Sequence, residues 1–305
     1  MGCLKHAGLA FLAGSLTMKW VCEFPLVQGV AYKYVEINPY QCDPKEPGGY
    51  TKKSHPLETK RRMYPGFVET SPRGLVPGVD HKGKKVWESL PVVEYIDEAF
   101  EGPPLLPSSP HDRALVRIWT SHVGDRMQKS FYTMLLEQDP AKQEEARQRF
   151  FTECRTFARA MRNSGPFFLG EQFSMVDIAL APFFQRFLWV GSKYRDLVFP
   201  EEPEFARLQE WWSATHSRPS VAATMVCRAR LVSSYSQYSR NVATSDYAKS
   251  IQSSLSTSAS SKHSESGGAV RSACKCTRVA LGAVAAVLVV FIAGVRIGQQ
   301  MKVRG

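Results

Sequence analysis

The stretch Ser71-Pro-Arg-Gly-Leu-Val-Pro77, followed after a turn by Val86-Trp-Glu-Ser-Leu-Pro-Val-Val-Glu-Tyr95, restricts the fold more than any other part of the chain. It spells a loop, a strand, a hairpin, a second strand and the start of a helix. Pro77 stands where an extended chain must turn sharply, the usual place for a cis X-Pro bond. Such a bond aims the backbone N–H and C=O of Val76 away from the sheet, where they can pair with an extended peptide as an added strand would. Glu88-Ser89 lies where a strand hands over to a helix. A Ser hydroxyl and unpaired helix N–H groups converge there, which suits a carboxylate, and Glu88 can meet an ammonium. Val76, Pro77, Glu88 and Ser89 together describe a pocket for a small zwitterionic peptide.

Charge and cysteine usage narrow the function classes. The net charge of +11 invites a nucleic-acid reading, so its location decides. Residues 233–305 hold nine Lys or Arg against Asp246 and Glu265, which leaves about +4 for the first 232 residues. The excess sits in the tail, against a basic DNA-binding face, and no nucleic-acid partner is expected. The seven cysteines include no CxxC pair, so neither a zinc site nor a disulfide framework is expected, and a reducing compartment is.

The rest of the first half is consistent with that stretch. Tyr32–Ile37 alternates as a strand. Residues 41–67 are a long polar insert, whose basic residues (Lys52, Lys53, Lys60, Arg61 and Arg62) read as a solvated run or as partners for a carboxylate. Ser89 is expected to cap a helix carrying Val92, Val93 and Ile96 inward. Beyond Ser109 the pattern turns helical. One helix covers Asp112–Met134 with Leu115, Ile118, Trp119, Val123 and Met127 inward, and another covers Gln143–Arg162. Phe173-Ser-Met-Val-Asp-Ile178 spells a capping box, Ser174 and Asp177 exchanging bonds before an apolar run. Both are structural residues in this reading.

These words resemble the glutathione transferase family, most closely its omega-like and fungal members. The resemblance rests on Tyr34-Val-Glu-Ile-Asn-Pro-Tyr40, Pro72-Arg-Gly-Leu-Val-Pro77, Glu88-Ser89, Glu94-Tyr-Ile-Asp-Glu98, Leu105-Leu-Pro107 and the Ser174/Asp177 cap. It implies an α/β thioredoxin-like domain over residues 16–106 and an all-α domain over 107–232. Glutathione is then the co-substrate, held by Val76, Pro77, Glu88 and Ser89, with no metal. Trp119, Phe131 and Tyr132 are candidates for the second-substrate pocket, and a homodimer is the family's common assembly. In the omega-like motif a cysteine closes the first strand and forms a mixed disulfide with glutathione, which lays Trp20, Cys22, Phe24 and Gln28 on the motif. Glu23 replaces the motif's proline and the motif's arginine is absent. Gln28 also runs straight into the second strand, so the first helix is either missing or lost from the sequence. Upstream, residues 7–16 read as a short signal-peptide core or as strand lead-in.

The carboxy-terminal end departs from the family. Fourteen of the 34 residues in 233–266 are serine, so 233–277 is expected to be a flexible, disordered linker. Val279–Val295 is an uncharged apolar run between Arg278 and Arg296, long enough to cross a bilayer, and 278–297 is expected to be a transmembrane anchor in contact with lipid. So near the end of the chain it reads as a tail anchor, with the domain in the cytosol at a mitochondrial or peroxisomal outer face. Cys274 and Cys276 beside it are palmitoylation candidates or plain juxtamembrane thiols. The sequence therefore reads as a membrane-anchored glutathione transferase or thiol reductase acting on an electrophile or disulfide. The alternative is a catalytically inactive interaction or adaptor module on the same fold.

Overall fold

The computed structural model describes residues 9–13, 32–46 and 50–264. The chain divides into two units, 1–259 and 260–305. Of the second, only the end of its entering helix is described. The sheet and the helical core both belong to the first unit.

Four strands form the sheet that carries the 71–95 stretch: β1 (Leu9–Ala13), β2 (Lys33–Glu36), β5 (Gly78–His81) and β6 (Lys84–Trp87). Their order across the sheet is β2-β1-β5-β6. β1 runs parallel to β2 and antiparallel to β5, with Leu12 opposite Gly78. β5 and β6 form the expected hairpin, turning at Gly83, whose φ of 85° the turn requires. The insert is not shapeless. It folds into a small hairpin of β3 (Tyr40–Cys42) and β4 (Tyr50–Ser54), then α1 (Leu57–Met63) and α2 (Phe67–Thr70). α3 (Ser89–Ala99) buries Val92, Val93 and Ile96, as its spacing required.

The first strand lies upstream of where the resemblance placed it. β1 ends at Ala13, not at Cys22, so the thioredoxin-like half begins before residue 16. Residues 14–32 separate β1 from β2, and a parallel pair needs a crossover of a dozen residues or more. No lost segment is required to supply it. Of the two readings of residues 7–16, the strand is the one observed. Cys22 itself lies outside the described residues.

The helical half contains α4 (Pro110–His122), a π-turn over Val123–Gln128, α5 (Lys129–Leu136), α6 (Pro140–Ala160) and α7 (Met175–Arg186). A second π-turn (Phe187–Gly191) leads to α8 (Ser192–Arg195), α9 (Pro203–His216) and α10 (Pro219–Thr224). Its core is aromatic: Phe131, Phe150, Phe157, Phe184, Phe187, Phe205 and Trp211 are fully buried. In α4 the phase differs from expectation. Val116 and Thr120 face inward, while Ile118 is 58% exposed.

The serine-rich segment is folded as far as Ser264. It forms α11 (Arg228–Ser234), α12 (Ser236–Ser239) and α13 (Asp246–Ser264). Leu231, Tyr235, Tyr238, Ala243, Ala248 and Ile251 enter the main core, so residues 233–264 are not a flexible linker. Few large aliphatics are needed because tyrosines supply the buried area. No helix among the described residues is long and apolar enough to cross a membrane. Val279–Val295, Cys274 and Cys276 lie outside the described residues.

Candidate functional site

The loop before β5 is held from several sides. Ser71 ends α2, and its hydroxyl donates to the Leu75 carbonyl at 2.6 Å while accepting from the Leu75 N–H at 3.3 Å. Gly74 turns the chain at φ 61°, and a Cβ there would stand 2.7 Å from Leu57 Cδ1 and 3.1 Å from Lys60 Cδ. Lys60, expected in a solvated run, is instead 3% exposed and donates from Nζ to the Gly74 carbonyl at 2.8 Å. Burial lowers its pKa. The Val76–Pro77 bond is cis, and β5 starts at the next residue. Because Leu12 pairs with Gly78, this loop stands beside the carboxy-terminal end of β1.

Glu88 has φ 70° and ψ 137°, a conformation that L-residues seldom adopt and that clusters at functional positions. It is also the N-cap of α3. Ser89 is the first helical residue, not the cap that the sequence suggested, and no side-chain capping bond forms. Its hydroxyl and the first amides of an 11-residue helix are therefore left for another acceptor. The Glu88 carboxylate meets Arg73 Nη1 at 3.1 Å, and both are largely exposed.

Val76, Glu88 and Ser89 line one cavity of about 510 Å³. Of its far wall only Tyr132 was foreseen. The wall comprises Tyr40 from the insert, Tyr132 from α5, Phe183 and Arg186 from α7, and Tyr235, Tyr238 and Tyr247 from the carboxy-terminal segment. The Tyr132 and Tyr235 hydroxyls lie 2.6 Å apart, and Arg186 Nε donates to Tyr235 at 2.6 Å. Burial raises the Tyr132, Tyr238 and Tyr247 phenols and pushes Tyr40 up to about 12, so the wall presents neutral hydroxyls. Three of these tyrosines were hidden in what looked like a linker. Their close spacing at 235, 238 and 247 was the available signal.

The other sequence candidates separate. Tyr132 is in the wall, whereas Phe131 is fully buried core and Trp119 packs on His122, Phe157 and Phe168. Ser174 and Asp177 form the expected capping box. Asp177 also accepts from the Phe168 N–H at 2.8 Å and Trp211 Nε1 at 2.7 Å. Desolvation raises its pKa against the opposing pull of these bonds. No group of three potential metal ligands is found among the described residues.

Known proteins match the same regions. The family model for the glutathione S-transferase C-terminal domain matches residues 140–212. A probable glutathione S-transferase of Solanum tuberosum is 33% identical over 144 residues, 46% of this chain and only 56% of that protein. The probable glutathione S-transferase parC of Nicotiana tabacum is 31% identical over 181 residues, 57% of this chain and 78% of that one. The crystal structure of glutathione transferase Omega 3C from Trametes versicolor superposes with a TM-score of 0.60 at 31% identity, covering 77% of this chain and 93% of that chain. A likeness of this depth, running through sheet and helices alike, places the chain in the glutathione S-transferase family.

Proposed function

We propose that this protein binds glutathione at Val76, Pro77, Glu88 and Ser89 and joins it through its sulfur to an electrophile held against the tyrosine wall. One observation carries the reading. The Val76 backbone and the uncapped start of α3 open onto a single cavity that continues into an aromatic compartment. The peptide backbone pairs with Val76, a carboxylate takes the Ser89 hydroxyl and the helix amides, and the sulfur points toward the end of β1. In the conjugation itself the thiolate forms a C–S bond, and the leaving group departs with its electron pair.

Gly14 and Ser15 follow β1 directly in the chain, while Cys22 comes nine residues after Ala13. A serine two residues after the strand in the chain can supply a hydroxyl that stabilises the glutathione thiolate by hydrogen bonding. This favours conjugation through Ser15 over a mixed disulfide at Cys22. Retention on immobilised glutathione tests the binding half and should be lost in Ser89→Ala. Conjugation of 1-chloro-2,4-dinitrobenzene tests the chemistry and should fall more than about tenfold in Ser15→Ala. Cys22→Ser should change it less than about twofold. A folded chain that ignores the glutathione matrix would point to a non-catalytic module instead.

The apolar run within 278–297 is proposed as a membrane anchor holding the transferase at a mitochondrial or peroxisomal outer face, with Cys274 and Cys276 available to acylation. Its length and its basic flanks support this. Resistance of the full chain to alkaline carbonate extraction, lost on removal of 278–297, is the expected result.

A further inference from the structure

Arg186 is a buried cation without a buried anion. It ends α7 at 4% exposure and lines the cavity. Nε donates to the Tyr235 hydroxyl and Nη1 to the Pro182 carbonyl. The guanidinium lies 5.6 Å from the Phe183 ring centroid and 5.7 Å from that of Tyr235. Among the described residues no carboxylate stands within ion-pair distance of it, and none accepts from Nη2. Arginine stays charged when buried, and a desolvated charge that meets only neutral dipoles carries an uncompensated cost.

The cavity's other charges do not relieve it. Arg73 and Glu88 are paired with each other. Asp246 acts on Tyr40 and Lys60, whereas the groups acting on Arg186 are the phenols of Tyr235, Tyr132 and Tyr238. Flat rings line the same cavity. Tyr132 meets Tyr247 edge-to-face at 5.0 Å and Tyr238 at 5.4 Å. A planar aromatic fits such walls, and a carboxylate on it is the natural counter-ion for the fork of Arg186.

We propose that the second-substrate compartment selects aromatic acceptors bearing a carboxylate, which docks on Arg186 beside the Tyr132–Tyr235 hydroxyl pair. This rests on the transferase reading and names its substrate class. A neutral acceptor of the same shape leaves the guanidinium unpaired and is discriminated against for that reason.

The test is equilibrium binding of 3-nitrobenzoate and 3-nitrobenzamide to the full-length chain, followed by quenching of intrinsic fluorescence. The acid should bind at least about tenfold tighter, as for a hydrogen-bonded charge. Arg186→Met should abolish the difference, and Arg186→Lys should keep part of it. Equal binding of acid and amide by the wild-type chain overturns the proposal, and so does a preference that survives Arg186→Met. The wild-type comparison stands even where a variant does not fold. Retention on immobilised glutathione, measured on the same preparations, reports separately on the transferase reading. Acid preference without retention sinks that reading alone; retention without acid preference sinks the carboxylate proposal alone.

Discussion

The Arg195 guanidinium donates to the Ser239 carbonyl at 2.9 Å, tying the serine-rich segment to the helical core. The same side chain donates to the Met134 and Glu137 carbonyls, at 3.0 and 3.1 Å, at the end of α5. Gln138 Nε2 adds a bond to Ser239 at 3.1 Å. One cation thus satisfies orphan helix carbonyls and positions the segment that brings Tyr235, Tyr238 and Tyr247 to the cavity. Arg195→Ala should cost about 2–3 kcal/mol of stability. Hydrogen exchange should quicken first over residues 235–247. Uniform acceleration across the helical half would refute this local role.

Asp177 should be costlier to lose than an ordinary cap. Its carboxylate serves the Ser174 amide and hydroxyl, the Phe168 amide and the Trp211 indole, all buried. Asp177→Ala leaves those donors unpaired, with relief of carboxylate desolvation as partial compensation. A loss of about 2–4 kcal/mol is expected in urea unfolding, with a change in the near-ultraviolet signal of Trp211. Asp177→Asn should be nearly as harmful, since its amide sets a donor against donors.

Lys60 and its neighbour Arg61 separate a structural from a surface role. Lys60 holds the Gly74 carbonyl in the loop that precedes Val76, while Arg61 pairs with Glu58 in solvent. Lys60→Met keeps the aliphatic stem and removes the donor. Glutathione affinity should fall about three- to tenfold in calorimetric titration, the worth of one well-placed hydrogen bond. Arg61→Ala should leave it within about twofold. Similar losses in both variants would mean that general positive charge, not the loop bond, matters.

What the sequence disclosed and what it hid have physical causes. The 71–95 stretch was legible because strand alternation, the X-Pro step and the Gly83 turn are local signals, as is the Ser174 cap. β1 was not: Leu9–Ala13 is a short apolar run that fits a strand or a signal core equally, and the cysteine word at residues 20–28 pulled the frame downstream. The fold of 233–264 was obscured by its serines. There the hydroxyls of Ser233, Ser234, Ser250, Ser253 and Ser254 donate to carbonyls three or four residues back, which gives polar side chains a partner within the helix itself. Arg186 gave no signal, since its meaning depends on partners 49 residues away.

Thiol reactivity should follow the local fields. Cys227 is exposed at the N-cap of α11, where the Arg230 and Ala229 amides lower its pKa. Cys154 is buried, and burial raises it well above the usual thiol range. Iodoacetamide near neutral pH should label Cys227 ahead of Cys42 and leave Cys154 untouched until unfolding. Labelling of Cys154 at the rate of Cys227, read by peptide mass mapping, would contradict the packing of α6.

The tyrosine wall should make the protein sensitive to alkali. Burial pushes Tyr40 up to about 12, with Tyr235 and Asp246 adding to the effect. In an unfolded chain tyrosine titrates near 10. Between those values the folded protein keeps a proton that the unfolded chain has released, so stability falls as pH rises. Below about pH 10 the group contributes no pH dependence, and by about pH 11 it has removed roughly 1.4 kcal/mol. Tyr132, Tyr238 and Tyr247 are raised in the same direction and steepen the decline. Urea unfolding at about pH 9 and pH 11 should show a smaller loss in Tyr40→Phe than in the wild-type chain, by that same 1.4 kcal/mol or so. Identical losses would mean that the Tyr40 hydroxyl is hydrated, and that the insert hairpin does not close over the cavity.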